Sequence, residues 1–410
     1  MRFPCRVQGG ALAAGGIKIR RQAVNALPGG SRMGFVVPDA VDLAQRLVRC
    51  DTMEGRGERP VLEELAGILR GAGFSCTLEG YSEEHPHKAN LYARLNPEAS
   101  GRSIFFGGHV DTVPPGASPW AKDPLGGEIS GGRLHGRGSC DMKGGLAAML
   151  CAAVNMAPRM EGGDLVLHVY GGEETGCRGS FHAARNPEHF GRPGAAIIAE
   201  PTGNRLLAGH KGVLWLSFES SGRTAHGSMP EQGVNALAKL LPAACRLLES
   251  RPEGAHGILG RSTLALTSLH SGLNINSIPD RAVLTVDLRT VPGQKHADLL
   301  RSLAPPAGEE VSMRVLMDVP PVWTDPSTPW YAETRRLLAD FSGEEPEIAG
   351  AHYFTDAAAV RSLLPELPLL ILGPGEQTMA HKTDEYCPLE QIRAAQAIYE
   401  AIILAWVRRS

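Results

Sequence analysis

The chain has few aromatic side chains, 5% of its residues, and almost no net charge, −3 at pH 7. A balance so close to zero excludes the single-sign field that a nucleic-acid or strongly anionic partner calls for. No apolar run approaches the roughly 20 residues of a membrane span, so no membrane partner is expected. The eight cysteines, at positions 5, 50, 76, 140, 151, 177, 245 and 387, contain no Cys-x-x-Cys pair and no short disulfide spacing. Such usage fits reduced thiols in a cytoplasm rather than a disulfide-stapled secreted fold. Cys140 and Cys177 are read as buried, inert thiols rather than ligands. No secretory signal is expected either, because the apolar segment around Gly10 to Gly16 is short and glycine-rich.

What is present is enough chain, 410 residues, for two domains with full cores. Residues 1–37, rich in Gly, Ala and Arg, are expected to be a disordered leader. Asp39 can cap a helix running through Val48, and Glu58 to Arg70 carries a second amphipathic helix stopped by Gly71 and Gly73. Phe74 to Leu78 and Asn90 to Leu95 read as strands.

Four further apolar runs share one property. Ile104 to Phe106, Asp164 to Tyr170, Ala195 to Ala199 and Leu367 to Leu372 each hand over a ligand-type side chain within a few residues of their exits. The first delivers His109 and Asp111, the second Glu173 and Glu174, the third Glu200, and the fourth leads through Gly373-Pro374-Gly375 to His381. In an open α/β sheet, ligands bind outside the carboxyl ends of the strands. If the four are parallel neighbours, these groups converge, and imidazole nitrogens with carboxylate oxygens suit zinc or a similar divalent metal. A long Pro- and Gly-rich loop, Pro114 to Gly138, separates the first strand from Asp141, which opens a helix to Met156. An N-cap is the competing role for Asp141, and a solvated acidic turn the competing role for Glu173 and Glu174.

Five segments in this order resemble the motif set of a family of metal-dependent amidohydrolases. They are Gly108-His109-Val110-Asp111-Thr112-Val113-Pro114, Gly136 to Gly145, Gly171-Gly172-Glu173-Glu174-Thr175-Gly176, Glu200-Pro201-Thr202, and Gly373-Pro374-Gly375 with Ala380-His381. The family includes acetylornithine deacetylase, succinyl-diaminopimelate desuccinylase, aminoacylase and carboxypeptidase G2. The resemblance implies two divalent metal ions, zinc first with cobalt or manganese as alternatives. It makes Asp141 the bridging ligand, His109 and Glu200 ligands of one metal, and Glu174 and His381 ligands of the other. Asp111 would orient His109, and Glu173 would be the general base, acting on water whose pKa a metal can lower to about 7.

Between the two parts of this catalytic region the pattern changes. Val213 to Ser220, Ser262 to His270, Arg281 to Arg289 and Val311 to Met317 read as strands, and Gly233 to Glu249 and His296 to Leu303 as helices. The expected organisation is therefore a catalytic domain at 38–205 and 322–410, interrupted by an inserted domain at 206–321. The expected fold is an α/β catalytic domain, with a mixed, largely parallel sheet and helices on both faces, carrying an α+β insert. The resemblance makes that insert a lid and a homodimer contact. It also makes His226 an oxyanion-stabilising group reaching the partner's site, and Asn276 and Arg289 holders of the substrate carboxylate. A guanidinium fork suits that task. Considered alone, His226 reads as a loop histidine, Asn276 as a turn former and Arg289 as a strand-end charge.

Among other histidines, His85 and His87 fall in a charged loop, His135 stands where the family more often has tyrosine, and His168 reads as a satisfied core residue. His352-Tyr353-Phe354-Thr355-Asp356 departs from the family's Gly-rich version near the substrate pocket. The resemblance implies hydrolysis of the amide of an N-acyl amino acid or related small carboxylate. A carboxypeptidase or dipeptidase with the same metal centre is the first alternative, and a non-catalytic binding dimer the second.

Overall fold

A computed structural model describes residues 39–99, 101–160 and 162–408; the expected leader lies outside the described residues. The first helix, Ala40–Val48, is capped by the Asp39 carboxylate, which accepts from the Val41 and Asp42 amides. Such a cap is worth about 1 kcal/mol. The second, Arg59–Gly71, buries Leu62, Leu65 and Leu69, the apolar stripe expected of it.

The main sheet has nine strands. Its centre is four parallel neighbours in the order Asp164–Tyr170, Ser103–His109, Pro193–Ile198 and Leu369–Ile371. These are the four apolar runs, and they are buried along nearly their whole length, as parallel strands covered on both faces should be. Ala89–Arg94 and Ser75–Gly80 extend one side antiparallel. On the other side lie Leu207–His210, Val322–Trp323 and Ala349–Ala351. The helix Gly144–Met156 is buried on nearly every side, among the first helix and the long final helix Leu389–Val407. It approaches the sheet closely at Gly145, where a Cβ would stand 2.0 Å from the Ala199 carbonyl oxygen. Only glycine permits that contact, which sets the helix beside the strand exit carrying Glu200.

A second sheet, of four antiparallel strands, is built from Thr263–Ser271, Arg281–Thr290, Gly212–Ser221 and Val311–Val319 in that order. The helix Ala236–Glu249 packs its Leu240, Ala243, Ala244 and Leu247 face on it. This is a small core of its own, and the alternating burial along Arg281–Thr290 is that of a strand with one wet face.

Two expectations require correction. The segment Pro114 to Gly138 is not wholly loop: Ile129–Ser130 and Arg133–His135 pair with each other and with Tyr386–Pro388. Strands of two or three residues are too short to carry a periodic signal. Asp141, in turn, does not cap the helix to Met156. It has φ −118° and ψ 99°, in a bend at Ser139–Lys143 that precedes the first helical residue, Gly144. Its carboxylate is thereby free for other partners.

Candidate active site

At the carboxyl ends of the four parallel strands the separate acids and histidines meet. His109 is the last residue of its strand and completely buried. Its Nδ1–H donates to the Asp111 carbonyl oxygen at 3.0 Å, which leaves Nε2 facing the carboxylates around it. That Nε2 stands 3.3 Å from Asp141 Oδ1, 3.7 Å from Glu200 Oε1 and 4.0 Å from Glu173 Oε2. On the opposite side His381 Nε2 stands 2.9 Å from Glu174 Oε2 and 3.5 Å from Asp141 Oδ2. The two oxygens of one carboxylate, Asp141, therefore face two different sets of partners.

The local backbone explains how neighbouring acids reach different places. After Tyr170 the chain turns at Gly172, whose φ of +71° is left-handed. Asp111 then receives the backbone: its carboxylate oxygens accept from the Glu173 amide at 3.2 Å and the Glu174 amide at 3.1 Å. Its carboxylate is 3.5 Å from His109 Nδ1, farther than its carbonyl oxygen. Asp111 thus positions the imidazole chiefly through its backbone and the acid pair through its side chain.

Crowding of negative groups governs the electrostatics. Burial pushes the Glu173 carboxyl well above the ordinary range, with the Glu200 and Glu174 charges adding to it. Burial, then Asp141, does the same to Glu200, and more mildly to Glu174. For His109 burial opposes protonation, but the adjoining Asp111 and Asp141 carboxylates outweigh it and hold its pKa well above the usual value. A cluster in which several carboxyls resist ionisation together is one that a multivalent cation would relieve.

The donor groups fit such a cation. His109, Asp141 and Glu200 offer ligand atoms within 4.8 Å of one another, and so do Asp141, Glu174 and His381. His109, Glu173 and Glu174 form a third such group. Glu200 Oε1 and Glu174 Oε1 are buried and have no hydrogen-bond partner within the protein. Buried carboxylate oxygens left unpaired are costly, and ligation would satisfy both. Neither cysteine joins these groups. Cys140 Sγ donates to the Glu376 carbonyl oxygen and Cys177 Sγ contacts Glu173 Oε1, while burial pushes both thiols up.

One contributor has no counterpart in the motif reading. Glu385, completely buried, accepts from the Gly138, Cys140 and Asp141 amides at 3.1, 2.8 and 3.1 Å and from Arg137 Nη1 at 2.6 Å. It clamps the bend that presents Asp141. Burial pushes its carboxyl up to about 7, against the pull of Arg137. A cavity of about 210 Å³ opens over the cluster, walled on its other side by Pro201, Tyr353, Phe354, Gln377 and Ala380.

The inserted-sheet residues stand elsewhere. His226 is exposed, its Nδ1 2.8 Å from Ser228 Oγ, and it bridges to Ser277 beside the exposed Asn276. Arg289 is engaged by its strand neighbour Asp287 through two hydrogen bonds of 2.8 and 2.9 Å. None of the three lines the cavity. His168 is a satisfied core residue, between the Tyr170 hydroxyl and the His189 carbonyl oxygen. His352 is exposed, while the next two side chains reach the cavity.

The profile of Peptidase family M20/M25/M40 matches residues 105–405, a span that takes in every member of the cluster. The chain belongs to this family. Within it, the chain is 30% identical over 399 residues to a succinyl-diaminopimelate desuccinylase of Rhodospirillum centenum, covering 90% of this chain and 98% of that one. In fold it is similar to an M20 family metallo-carboxypeptidase of Sulfolobus solfataricus, with TM-score 0.75, 16% identity, and coverage of 90% and 99%. The di-peptidase Dug1p of Saccharomyces cerevisiae has TM-score 0.69 at 14% identity, with coverage of 90% and 95%. This M20 chain is a hydrolase acting on amide bonds. Among the described residues no helix is long and apolar enough to cross a membrane.

Proposed function

We propose that the chain is a dinuclear metal-dependent deacylase that hydrolyses the amide of an N-acyl amino acid or related small carboxylate. The observation that carries this reading is the position of Asp141, whose two oxygens face His109 on one side and His381 on the other. His109 and Glu200 would hold one divalent ion and Glu174 and His381 the other, with Asp141 shared; zinc is the first choice, cobalt or manganese the alternatives. When bound, the ions supply Lewis acidity toward the amide carbonyl and make water a stronger acid. Glu173 is the general base: its buried carboxylate takes the proton of the attacking water and returns it to the nitrogen of the departing amine. Asp111 holds Glu173 and Glu174 in place through their amides.

The insert acts as a lid and as the contact of a homodimer in the cytoplasm. The hairpin beside His226 supports this, because Leu273 and Ile275 on it are large apolar side chains left exposed. Across that contact His226 stabilises the oxyanion of the partner's site, and Asn276 and Arg289 take the substrate carboxylate, Arg289 exchanging its Asp287 partner for it. A peptidase reading stands beside the deacylase one, since the solved structures similar in fold include a metallo-carboxypeptidase and a di-peptidase.

Hydrolysis of acetyl and other acyl amino acids and of dipeptides, before and after chelation, decides between them. The expected result is acyl hydrolysis that chelation abolishes and added zinc, cobalt or manganese restores. Turnover of dipeptides alone selects the peptidase reading, and turnover of nothing by metal-loaded protein leaves a binding dimer.

A further inference from the structure

The two proposed metal sites stand on unequal foundations. His109 and Glu200 sit at the exits of buried strands, and the His109 side chain is 1% exposed. The His381 side chain is 53% exposed. It belongs to the loop between the turn Gln377–Met379 and the short strand Tyr386–Pro388, with a left-handed φ of +62°. A residue other than glycine keeps that conformation only where its surroundings fix it. The fixing contacts come from one segment, Pro114 to Arg137. The Asp384 carboxylate accepts from the Ala121 amide at 2.7 Å, and the Glu385 carbonyl oxygen from the Gly136 amide at 3.0 Å. Arg137 contributes most: Nη1 donates to the Glu385 carboxylate at 2.6 Å, and Nη2 to the carbonyl oxygens of Pro114 at 3.3 Å and His381 at 3.5 Å.

Arg137 is itself buried, and Trp120 covers it. The guanidinium carbon lies 5.2 Å from the centre of the indole ring, within the range of cation–π attraction. Indole Nε1–H donates to the Pro115 carbonyl oxygen at 3.0 Å, so the ring is held by the loop whose first residue Arg137 grips. Two ligands of one site therefore hang on this arginine, Asp141 through Glu385 and His381 through its own carbonyl group. Asp141 is shared with the other site, but its bend keeps three amide bonds to Glu385 that do not involve Arg137. Among the described residues, no hydrogen bond joins Arg137 to His109 or Glu200. We propose that Arg137 and Trp120 are positioning residues for one of the two metal sites, that of Asp141, Glu174 and His381, and that the site of His109 and Glu200 is independent of them. The inference rests on the dinuclear reading and deepens it: a strap of loop, rather than the sheet, sets the exposed side of the centre.

The test reads each site by removing the histidine of the other. His109→Ala leaves the His381 site and His381→Ala leaves the His109 site. Metal-free proteins are titrated with zinc by calorimetry, and the visible absorption of bound cobalt reports the surroundings of each ion. Wild type should take two ions. Arg137→Lys keeps a charge for Glu385 and loses the planar fork that also reaches two carbonyl oxygens. In the His109→Ala chain it should weaken the remaining ion by roughly 10–100-fold. In the His381→Ala chain the affinity should stay within about twofold, as for independent sites, with the cobalt spectrum unmoved. Trp120→Leu, which fills space without a π face, should act on the same site by up to about 30-fold, and Trp120→Phe should recover most of the loss. With both histidines present, Arg137→Lys should keep one ion at wild-type affinity, with the cobalt spectrum of His381→Ala. Circular dichroism establishes folding, and the Trp120 pair carries the test if Arg137→Lys does not fold. Equal weakening of both sites overturns the inference, and so does unchanged affinity at the His381 site in folded variants. Binding of a single ion by wild type overturns the dinuclear reading itself, and the inference with it.

Discussion

Glu173 and Glu174 are adjacent in the chain and stand against different partners, Glu174 at 2.9 Å from His381 and Glu173 at 4.0 Å from His109. Backbone geometry separates them: they stand in a bend that becomes a turn, closed by the Gly176 and Cys177 amides donating to the Glu173 carbonyl oxygen, with both of their own amides pinned by the Asp111 carboxylate. The division gives a sharp expectation. Glu173→Gln keeps the shape and removes the proton acceptor, so turnover should fall by at least the roughly 10²–10⁴-fold that general-base catalysis contributes, while metal content stays that of the wild type. Metal analysis beside single-turnover rates reads both; a matching loss of metal would move Glu173 from base to ligand. Most of these positions could be picked out in the chain because each follows an apolar run. Glu385 could not, since its partners are backbone amides at a sequence separation of 244 or more, and no spacing rule marks a side chain by amides so distant.

Among the elements, the four parallel strands and the two inserted-sheet strands Thr263–Ser271 and Arg281–Thr290 were legible for opposite reasons: the first are continuous apolar runs and the second alternate. What periodicity does not carry is the bend Ser139–Lys143, which delivers Asp141 between the strand exits. Hydrogen bonds to Glu385 hold that bend, together with the buried ion pair of Arg137 and Glu385. Glu385→Gln removes the charge from the clamp and sets an amide NH₂ where an acceptor is needed. Partners that orient metal-binding groups commonly matter by 10–100-fold in affinity, so zinc affinity by competition with a chromophoric chelator should fall by about that factor. Thermal melts should drop as well, because weakening a buried pair costs up to about 3–5 kcal/mol. Unaltered zinc affinity in a folded variant would mean that the bend keeps its shape unaided.

On the scale of the whole molecule, the cavity and the proposed oxyanion group are apart within one chain: His226 is exposed and lines no part of the space over the cluster. Either the insert swings over its own cavity or a second copy brings the residue. Exposed Leu273 and Ile275 on the adjoining hairpin favour the second, because burial of about 25 cal/mol per Å² of apolar surface gives such side chains a reason to be covered. The two cases separate by complementation. Glu173→Gln subunits lack a base and His226→Ala subunits lack the oxyanion group, so each homodimer should be nearly inactive. If the histidine acts in trans, a mixed dimer holds one site lacking both groups and one lacking neither. Statistical mixing at equal concentrations makes about half the dimers mixed, each with one of two sites intact. Activity should therefore return to about a quarter of wild type, as expected for symmetric pairing of identical surfaces. Native mass spectrometry of differently tagged subunits establishes that exchange has occurred; no recovery after proven exchange places His226 over the cavity of its own chain and makes the insert a lid that closes in cis.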